Sequence, residues 1–273
     1  MGEQMSFLPH YRIVLAYLLF GTVWVFTSDI AVETLFSGEK TITNIQHFKG
    51  WVFVALTAAL LFVLIRHDFS RLQQANSKVL ESIEQAVVGW IQVMDVRHKE
   101  TGDHSERVAR MTVALAKLWG IKDEKQLESV RYGALLHDIG KVGIPDAILT
   151  KPGALTDDEK QVMKQHPQIA YDVLSKNDFL RQYLAIPYEH HERWDGQGYP
   201  QGLKGKQISL EARIFSIVDV WDAIYHRRTY KDAWPEKEVL AYLSEQSGKA
   251  FDPEISALFI KNYAQLKIAA DIS

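Results

Sequence analysis

The chain of 273 residues contains no cysteine. That excludes disulfides and thiolate metal sites, so any metal held here must use histidine and carboxylate donors. The same absence does not fix a compartment. Neither charge sign dominates: 31 Lys and Arg against 34 Asp and Glu leave −3, which argues against a general nucleic-acid binder. Beyond residue 98 no internal repeat or low-complexity tract is present, and no run there alternates as a strand should. Proline is missing from Asp68 to Val96, and charge is missing from residues 13–28 and 50–65. With 47% hydrophobic residues, the length allows one domain of about 200 residues and something smaller.

The two uncharged runs are IVLAYLLFGTVWVFTS (13–28) and GWVFVALTAALLFVLI (50–65). Each is slightly short of the ~20 residues a membrane span wants. Tyr11, Trp24 and Trp51 are interface-type residues, and Arg12, Lys49 and Arg66 can snorkel, so two spanning helices are expected. The alternatives are a buried hairpin or a signal peptide. No small-residue cleavage site follows the first run. Arg12 on one flank and Arg66, Arg71 and Lys78 on the other place both ends in the cytoplasm and the connection, Asp29 to Lys49, outside. In the proline-free stretch Phe69, Leu72, Asn76, Val79, Ile83, Ala86 and Val87 recur at three- and four-residue steps. Such a stripe suits a two-stranded coiled coil, or a helix packing on its own domain.

Beyond residue 98 the periodicity is helical throughout. Expected helices are His104–Trp119, a helix capped by Asp123 that runs to His137, and one opened by the capping box at Thr156 that reaches His166 before a helix-breaking Pro167. Phe179–His191 and Ser209–His226 follow, and Pro235 and Pro253 sit where first-turn prolines sit, the second behind a capping Asp252. The expected organisation is a two-helix anchor at 1–67, a linking helix at 68–96 and an all-α domain at 97–273.

LLHDIGKVGIP (135–145) is the stretch that the rest serves. His137 and Asp138 are adjacent donors suited to divalent Fe, Mn or Zn, and Asp138 has two oxygens with which to bridge two ions. Lys141 is a cation where an anionic substrate would lie. A His-Asp pair is weak evidence alone. Of the ten histidines, His10, His47 and His67 flank the apolar runs, and His98 and His226 read as solvent-facing. The rest join Glu100 and His104, His166 before Pro167, the pair His190–His191, and Asp219 in the apolar IFSIVDVWDAIY. A carboxylate in such a run is costly unless paired or metal-bound. The competing account of Asp219 is a salt bridge to Arg213 or Arg107. Together the eight donors suit two or three ions, and two metals about 4 Å apart clamp a phosphoryl centre. The loop ERWDGQGYPQGLKGKQI reads either as a flexible surface loop or as a lid beside the metal centre with Tyr199 and Trp194 able to face a base. Arg228 and Lys231 either sit on a solvated helix terminus or take phosphate oxygens.

From about residue 85 to 265 these motifs resemble the HD-GYP phosphodiesterases, a branch of the HD hydrolases: ETGDHSERVA, LLHDIGKVGIPD, His166, HHERWDGQGYP and DVWDAIYHRRTYK, in that order. The resemblance implies an HD-type helical bundle with a GYP extension, preceded here by a two-helix transmembrane hairpin and linking helix. It implies two or three divalent ions, iron or manganese foremost. The implied reaction is hydrolysis of cyclic di-GMP to pGpG or GMP, with cyclic GMP-AMP hydrolysis or a non-hydrolysing sensor as alternatives. Carried over by position, His137, Asp138, His166, His190, His191 and Asp219 are ligands of a two-metal core, with Asp138 bridging. Glu100 and His104 are ligands of a third ion. His137, Asp138 and Lys141 are catalytic; Lys141, Tyr199, Asp222, Arg228 and Lys231 contact substrate. Thr229 and the pair Tyr225-His226 depart from the family pattern, which bears on pocket shape. The stripe at 69–87 leads to an expected homodimer, the charges flanking the apolar runs to a bacterial inner-membrane location with the catalytic domain in the cytoplasm, and the net charge to no nucleic-acid partner; diguanylate cyclase (GGDEF) proteins are expected partners.

Overall fold

The structure is a computed structural model that describes residues 9–35, 39–98, 104–226 and 233–271. Among them every regular element is helical, and the only ladder contact is an isolated bridge between Ser247 and Phe251. Two compact units divide at Glu84 and Gln85.

The first unit holds α1 (Pro9–Leu35) and most of α2 (Glu39–His98). Phe20 and Trp24 on α1 stack with Phe53 on α2 at centroid distances of 6.1–6.3 Å. Lys49 pairs with Asp29. Two helical stretches, Tyr11–Leu35 and Asn44–Ile91, are long and apolar enough to cross a membrane. The connection expected from Asp29 to Lys49 is helical over most of its length. Hydropathy marks where charge appears, and a helix continues past that point through good formers such as Ala31 and Leu35.

The second unit is built on α3 (His104–Trp119), α4 (Glu124–Leu135) and α9 (Leu210–Tyr225). The side of α9 carrying Ile214, Phe215, Ile217, Val218 and Trp221 is fully buried against α3, which also packs on α4, α11 (Pro253–Lys261) and α12 (Tyr263–Asp271). The end of α2 joins this core through Ile91, with Val87 and Val88 beside it. The caps fall where the sequence puts them. Asp123 accepts from Gln126 N, Thr156 and Glu159 form the capping box of α6 (Asp157–Met163), and Asp252 accepts from Glu254 N. Arg213 reaches from α9 to Asp252 at 2.6 Å.

Two expectations change. Pro167 opens a helix, α7 (His166–Leu174), and does not merely close the one before. Phe179–His191 is a 3-10 turn at Arg181–Tyr183 followed by α8 (Ala185–Glu189). Pro187 has no N–H to give to Tyr183 O, so a helix containing it must begin within a turn of it. Pro235 likewise caps α10 (Glu236–Glu245) from just outside its first turn. Between α4 and α7 lie a 3-10 turn at Ile139–Gly143, the short α5 (Asp146–Leu149) and α6.

Candidate metal centre

His137 and Asp138 follow directly on the last turn of α4. His137 is buried, and its Nδ1 donates to Ala134 O at 2.8 Å. His166 is the first residue of α7, and its Nδ1 donates to Met163 O at 2.9 Å. That carbonyl is the one four residues behind Pro167, which has no N–H for it. At the end of α8, His190 Nδ1 donates to Ile186 O at 3.0 Å. Three rings are thus fixed the same way, each spending its Nδ1 proton on a helix-end carbonyl. On His166 and His190, each neutral with that one N–H committed, Nε2 keeps a bare lone pair turned inward.

The donors gather in two groups whose ligand atoms lie within 4.8 Å of one another: His166, His190 and His191; and His104, His137 and Asp219. Asp138 reaches both. Its Oδ2 is 3.2 Å from His137 Nε2 and its Oδ1 is 3.4 Å from His166 Nε2. Lys141 Nζ, one turn on, pairs with the same carboxylate.

The fit to a cation is seen between His166 and His190, whose Nε2 atoms are 3.2 Å apart. With both Nδ1 protons committed elsewhere, two lone pairs face each other, an arrangement that a shared positive centre relieves. Electrostatics agree. Burial first, then neighbouring imidazoles, pushes His190 well below its ordinary pKa. Burial and His166 push His191 down to about 3, and burial lowers His166. These rings are neutral at pH 7, the form that binds metal. His137 differs: burial works against its charged form, but the Asp138 carboxylate raises it to about 9. Asp138 is held well below the carboxylate range, against its burial, by Lys141 and His137. An all-N/O donor set of this kind suits a hard-to-borderline divalent ion.

His104 Nδ1 is 2.6 Å from Asp222 Oδ2, which turns its Nε2 toward Asp219 Oδ1 at 4.0 Å. Asp222 also takes Arg107 Nε at 2.6 Å and approaches His226 Nδ1 at 3.0 Å. Asp222, expected at the substrate, is therefore buried and fully engaged behind His104. His226, expected in solvent, reaches the same carboxylate. Neither arginine offered to Asp219 takes it, since Arg107 goes to Asp222 and Arg213 to Asp252.

The loop after His191 is densely bonded and is no free lid. The buried Glu192 carboxylate accepts from the backbone N–H groups of Gln201, Gly202 and Leu203 at 2.6–3.1 Å. Trp194 N and Asp195 N donate to Ala250 O and Lys249 O. A Cβ at Gly198 would lie 2.4 Å from Arg193 N, so only glycine lets the loop fold back on the histidine pair. Tyr199 comes to rest stacked on His191, centroids 4.8 Å apart, with Lys164 Nζ 5.4 Å from its ring centre. Burial raises the Tyr199 phenol above its ordinary range. Trp194 lies instead beneath the Arg213 guanidinium, 5.9 Å away. Glu192 and Lys164 escaped the sequence reading. An acid directly after two candidate ligands was the available signal for the first, and none marked the second. Glu100, Arg228 and Lys231 lie outside the described residues.

Over 199 residues the chain is 40% identical to a cyclic di-GMP phosphodiesterase response regulator of Xanthomonas campestris, covering 72% of this chain and 52% of that protein. It is 41% identical over 169 residues to a cyclic di-GMP phosphodiesterase of Thermotoga maritima (61% and 46% covered) and 36% identical over 185 residues to a 3'3'-cGAMP-specific phosphodiesterase of Vibrio cholerae (67% and 35%). The chain thus spans about half the length, or less, of these relatives. A solved cyclic GMP-AMP-specific phosphodiesterase from Vibrio cholerae superposes with a TM-score of 0.51 at 17% identity, covering 69% of this chain and 50% of that one, a likeness of fold. The family model described as HD domain matches residues 90–255. That match takes in all seven described donors, and the chain belongs to the HD domain family.

Proposed function

We propose that this chain is a metal-dependent phosphodiesterase of the HD-GYP branch that hydrolyses cyclic di-GMP to pGpG or GMP. The single observation that carries the chemistry is the pair of Nε2 lone pairs on His166 and His190, 3.2 Å apart, with Asp138 reaching from them to His137. His166, His190 and His191 would hold one divalent ion and His104, His137 and Asp219 another, and Asp138, which reaches both groups, would serve the two. Glu100 would extend the set to a third. The HD-GYP resemblance points to iron or manganese, which the N/O donors accommodate. When bound, such ions activate water at neutral pH and neutralise phosphoryl charge. The substrate reading is supported by the names of the relatives above.

The chain's own residues supply the rest. Lys141, paired with Asp138, is placed to contact a phosphoryl oxygen, where charge develops in phosphoryl transfer. Tyr199 keeps its phenolic proton and offers a ring held rigid by His191, suited to stacking a guanine. Glu192 fixes the loop that carries it. Arg228 and Lys231 are the further phosphate contacts. Asp222 orients His104.

Turnover by the purified full chain tests this. Loaded with Mn²⁺ or, without oxygen, with Fe²⁺, it should convert cyclic di-GMP to linear product seen by chromatography, and His137→Ala with Asp138→Ala should lose both turnover and metal. Binding without cleavage would return the chain to the sensor class. Relatives named as cGAMP-specific favour one second reading, cyclic GMP-AMP as substrate, and rates on both nucleotides decide it.

We further infer an anchor at residues 1–67, a linking helix at 68–96 and the enzyme at 97–273, at the bacterial inner membrane with the enzyme in the cytoplasm. The apolar stretches of α1 and α2 and the flanking Arg12, Arg66, Arg71 and Lys78 support that placement. A homodimer is supported by the stripe Phe69, Leu72, Val79 and Ile83. Trp90 and Val93 continue it at the same spacing, and all six are exposed. Diguanylate cyclases, which make the same nucleotide, are the proposed partners.

A further inference from the structure

Arg97 lies on the last turn of α2, inside the second unit, and its guanidinium bonds to one short segment of the same unit. Nη1 donates to Val142 O at 3.2 Å and Nη2 to Ile144 O at 3.2 Å. Nε and Nη2 donate to Asp146 Oδ1 at 3.1 and 2.7 Å. That segment is the exit of the turn that begins at Asp138. Lys141 N donates to Asp138 O and Ile144 N to Lys141 O, so residues 138–144 form one hydrogen-bonded unit. Its other side is wedged against α7. A Cβ at Gly140 would fall 1.8 Å from His166 O, and one at Gly143 3.0 Å from Ile169. The turn that carries Asp138 and Lys141 is thus held between the helix of His166 and the guanidinium of Arg97.

We propose that Arg97 is a positioning residue: through it the end of α2 sets the placement of Asp138 and Lys141. The inference rests on the phosphodiesterase reading for the roles of those two. A stability role accounts poorly for the contact. Asp146 is 72% exposed, and exposed ion pairs contribute little to folding. A planar fork spanning two carbonyls and a carboxylate fixes geometry, which is what a single ammonium cannot do. The connection also gives α2 a mechanical hold on the site. Any shift of its last turn pulls on Val142 and Ile144, one and three residues beyond Lys141.

The test uses the full chain with Arg97→Ala, Arg97→Lys and Asp146→Asn, reading kcat and KM on cyclic di-GMP, Mn²⁺ affinity and Tm. Arg97→Ala is expected to lower kcat on the order of tenfold, as displacement of reacting groups does, with KM little changed. It should also weaken Mn²⁺ retention while Tm moves by less than about 4 °C. Arg97→Lys should recover part of both, and Asp146→Asn should show a milder form of the same loss. Parent-like turnover and Mn²⁺ affinity in Arg97→Ala and Asp146→Asn overturn the proposal. Should Arg97→Ala fail to fold, the other two variants decide between the same outcomes. Should the parent chain not cleave the nucleotide, the phosphodiesterase reading fails, and Mn²⁺ affinity across the variants still decides the role of Arg97.

Discussion

His104 Nδ1 meets Asp222 Oδ2 at 2.6 Å across the contact between α3 and α9, 118 residues apart in sequence. The carboxylate fixes the ring so that Nε2 faces Asp219. It also neutralises the largely buried Arg107, and together these partners hold Asp222 well below the usual carboxylate range despite its burial. Asp222→Asn keeps the shape and removes the charge. Leaving Arg107 uncompensated costs about 3–5 kcal/mol, the range for breaking a buried pair from one side. Loss of the ring's orienting partner should also weaken metal binding by roughly 10–100-fold. Thermal unfolding and Mn²⁺ titration of the same preparation measure both effects, and a stable variant with unchanged affinity would contradict the assignment.

Gly140 is the tightest point of the HD turn. An alanine methyl there would lie 1.8 Å from His166 O and 2.8 Å from Ala170 N, both backbone atoms that cannot swing aside. Gly140→Ala must push α7 away from the turn, at a cost of at least about 2 kcal/mol. The displaced α7 carries His166, so metal content should fall along with Tm. Gly153→Ala, at a glycine with open space but a φ of +122°, serves as the comparison. It should lower Tm through local backbone strain while leaving metal content unchanged.

How far these relationships are legible in the sequence depends on whether a residue type carries its own chemistry. His137, His166 and the His190–His191 pair do so as a set: no one of them is telling alone, but several imidazoles and carboxylates at helix ends point to one chemistry, and the fold brings them to one cluster. Caps are equally local, and Asp123, Thr156 and Asp252 act where their spacing puts them. Charge partnership is not local. Arg107 and Arg213 were both plausible for Asp219, and only the packing of α9 against α3 and α11 sends them to Asp222 and Asp252. Prolines misled in a related way. Pro167 and Pro187 each interrupt the hydrogen-bond ladder from the first turn of a new helix, which the pattern of apolar residues does not announce.

Glu192 holds the Tyr199 loop through three backbone N–H groups at once. Glu192→Gln offers one oxygen and an NH₂ in place of two oxygens, so at least one buried donor loses its acceptor, at about 1–3 kcal/mol. The loop that stacks Tyr199 on His191 should loosen. On the proposed reading KM for the nucleotide rises more than kcat falls, because the ring and not the metal cluster is disturbed. Steady-state kinetics beside Tyr199→Ala check this, the expectation being that the two variants shift KM in the same direction and that Tyr199→Ala does so without lowering Tm as far.

His137 makes metal uptake pH-dependent. Asp138 raises its pKa to about 9 against the effect of burial, so at pH 7 the metal-free site holds a proton on the Nε2 that a cation needs. Cation and proton compete for one lone pair. Apparent Mn²⁺ affinity should therefore climb by up to about tenfold per pH unit above 7 and level off near 9. The metal-free protein carries the opposite sign. A pKa raised in the folded state adds stability that is fully present below about pH 6.5 and is lost as pH rises through 9. Metal-free Tm should thus fall over the interval in which Mn²⁺ protection grows. Melting curves with and without Mn²⁺ between pH 6.5 and 9.5 should diverge, and in His137→Gln, which cannot take up that proton, they should run parallel.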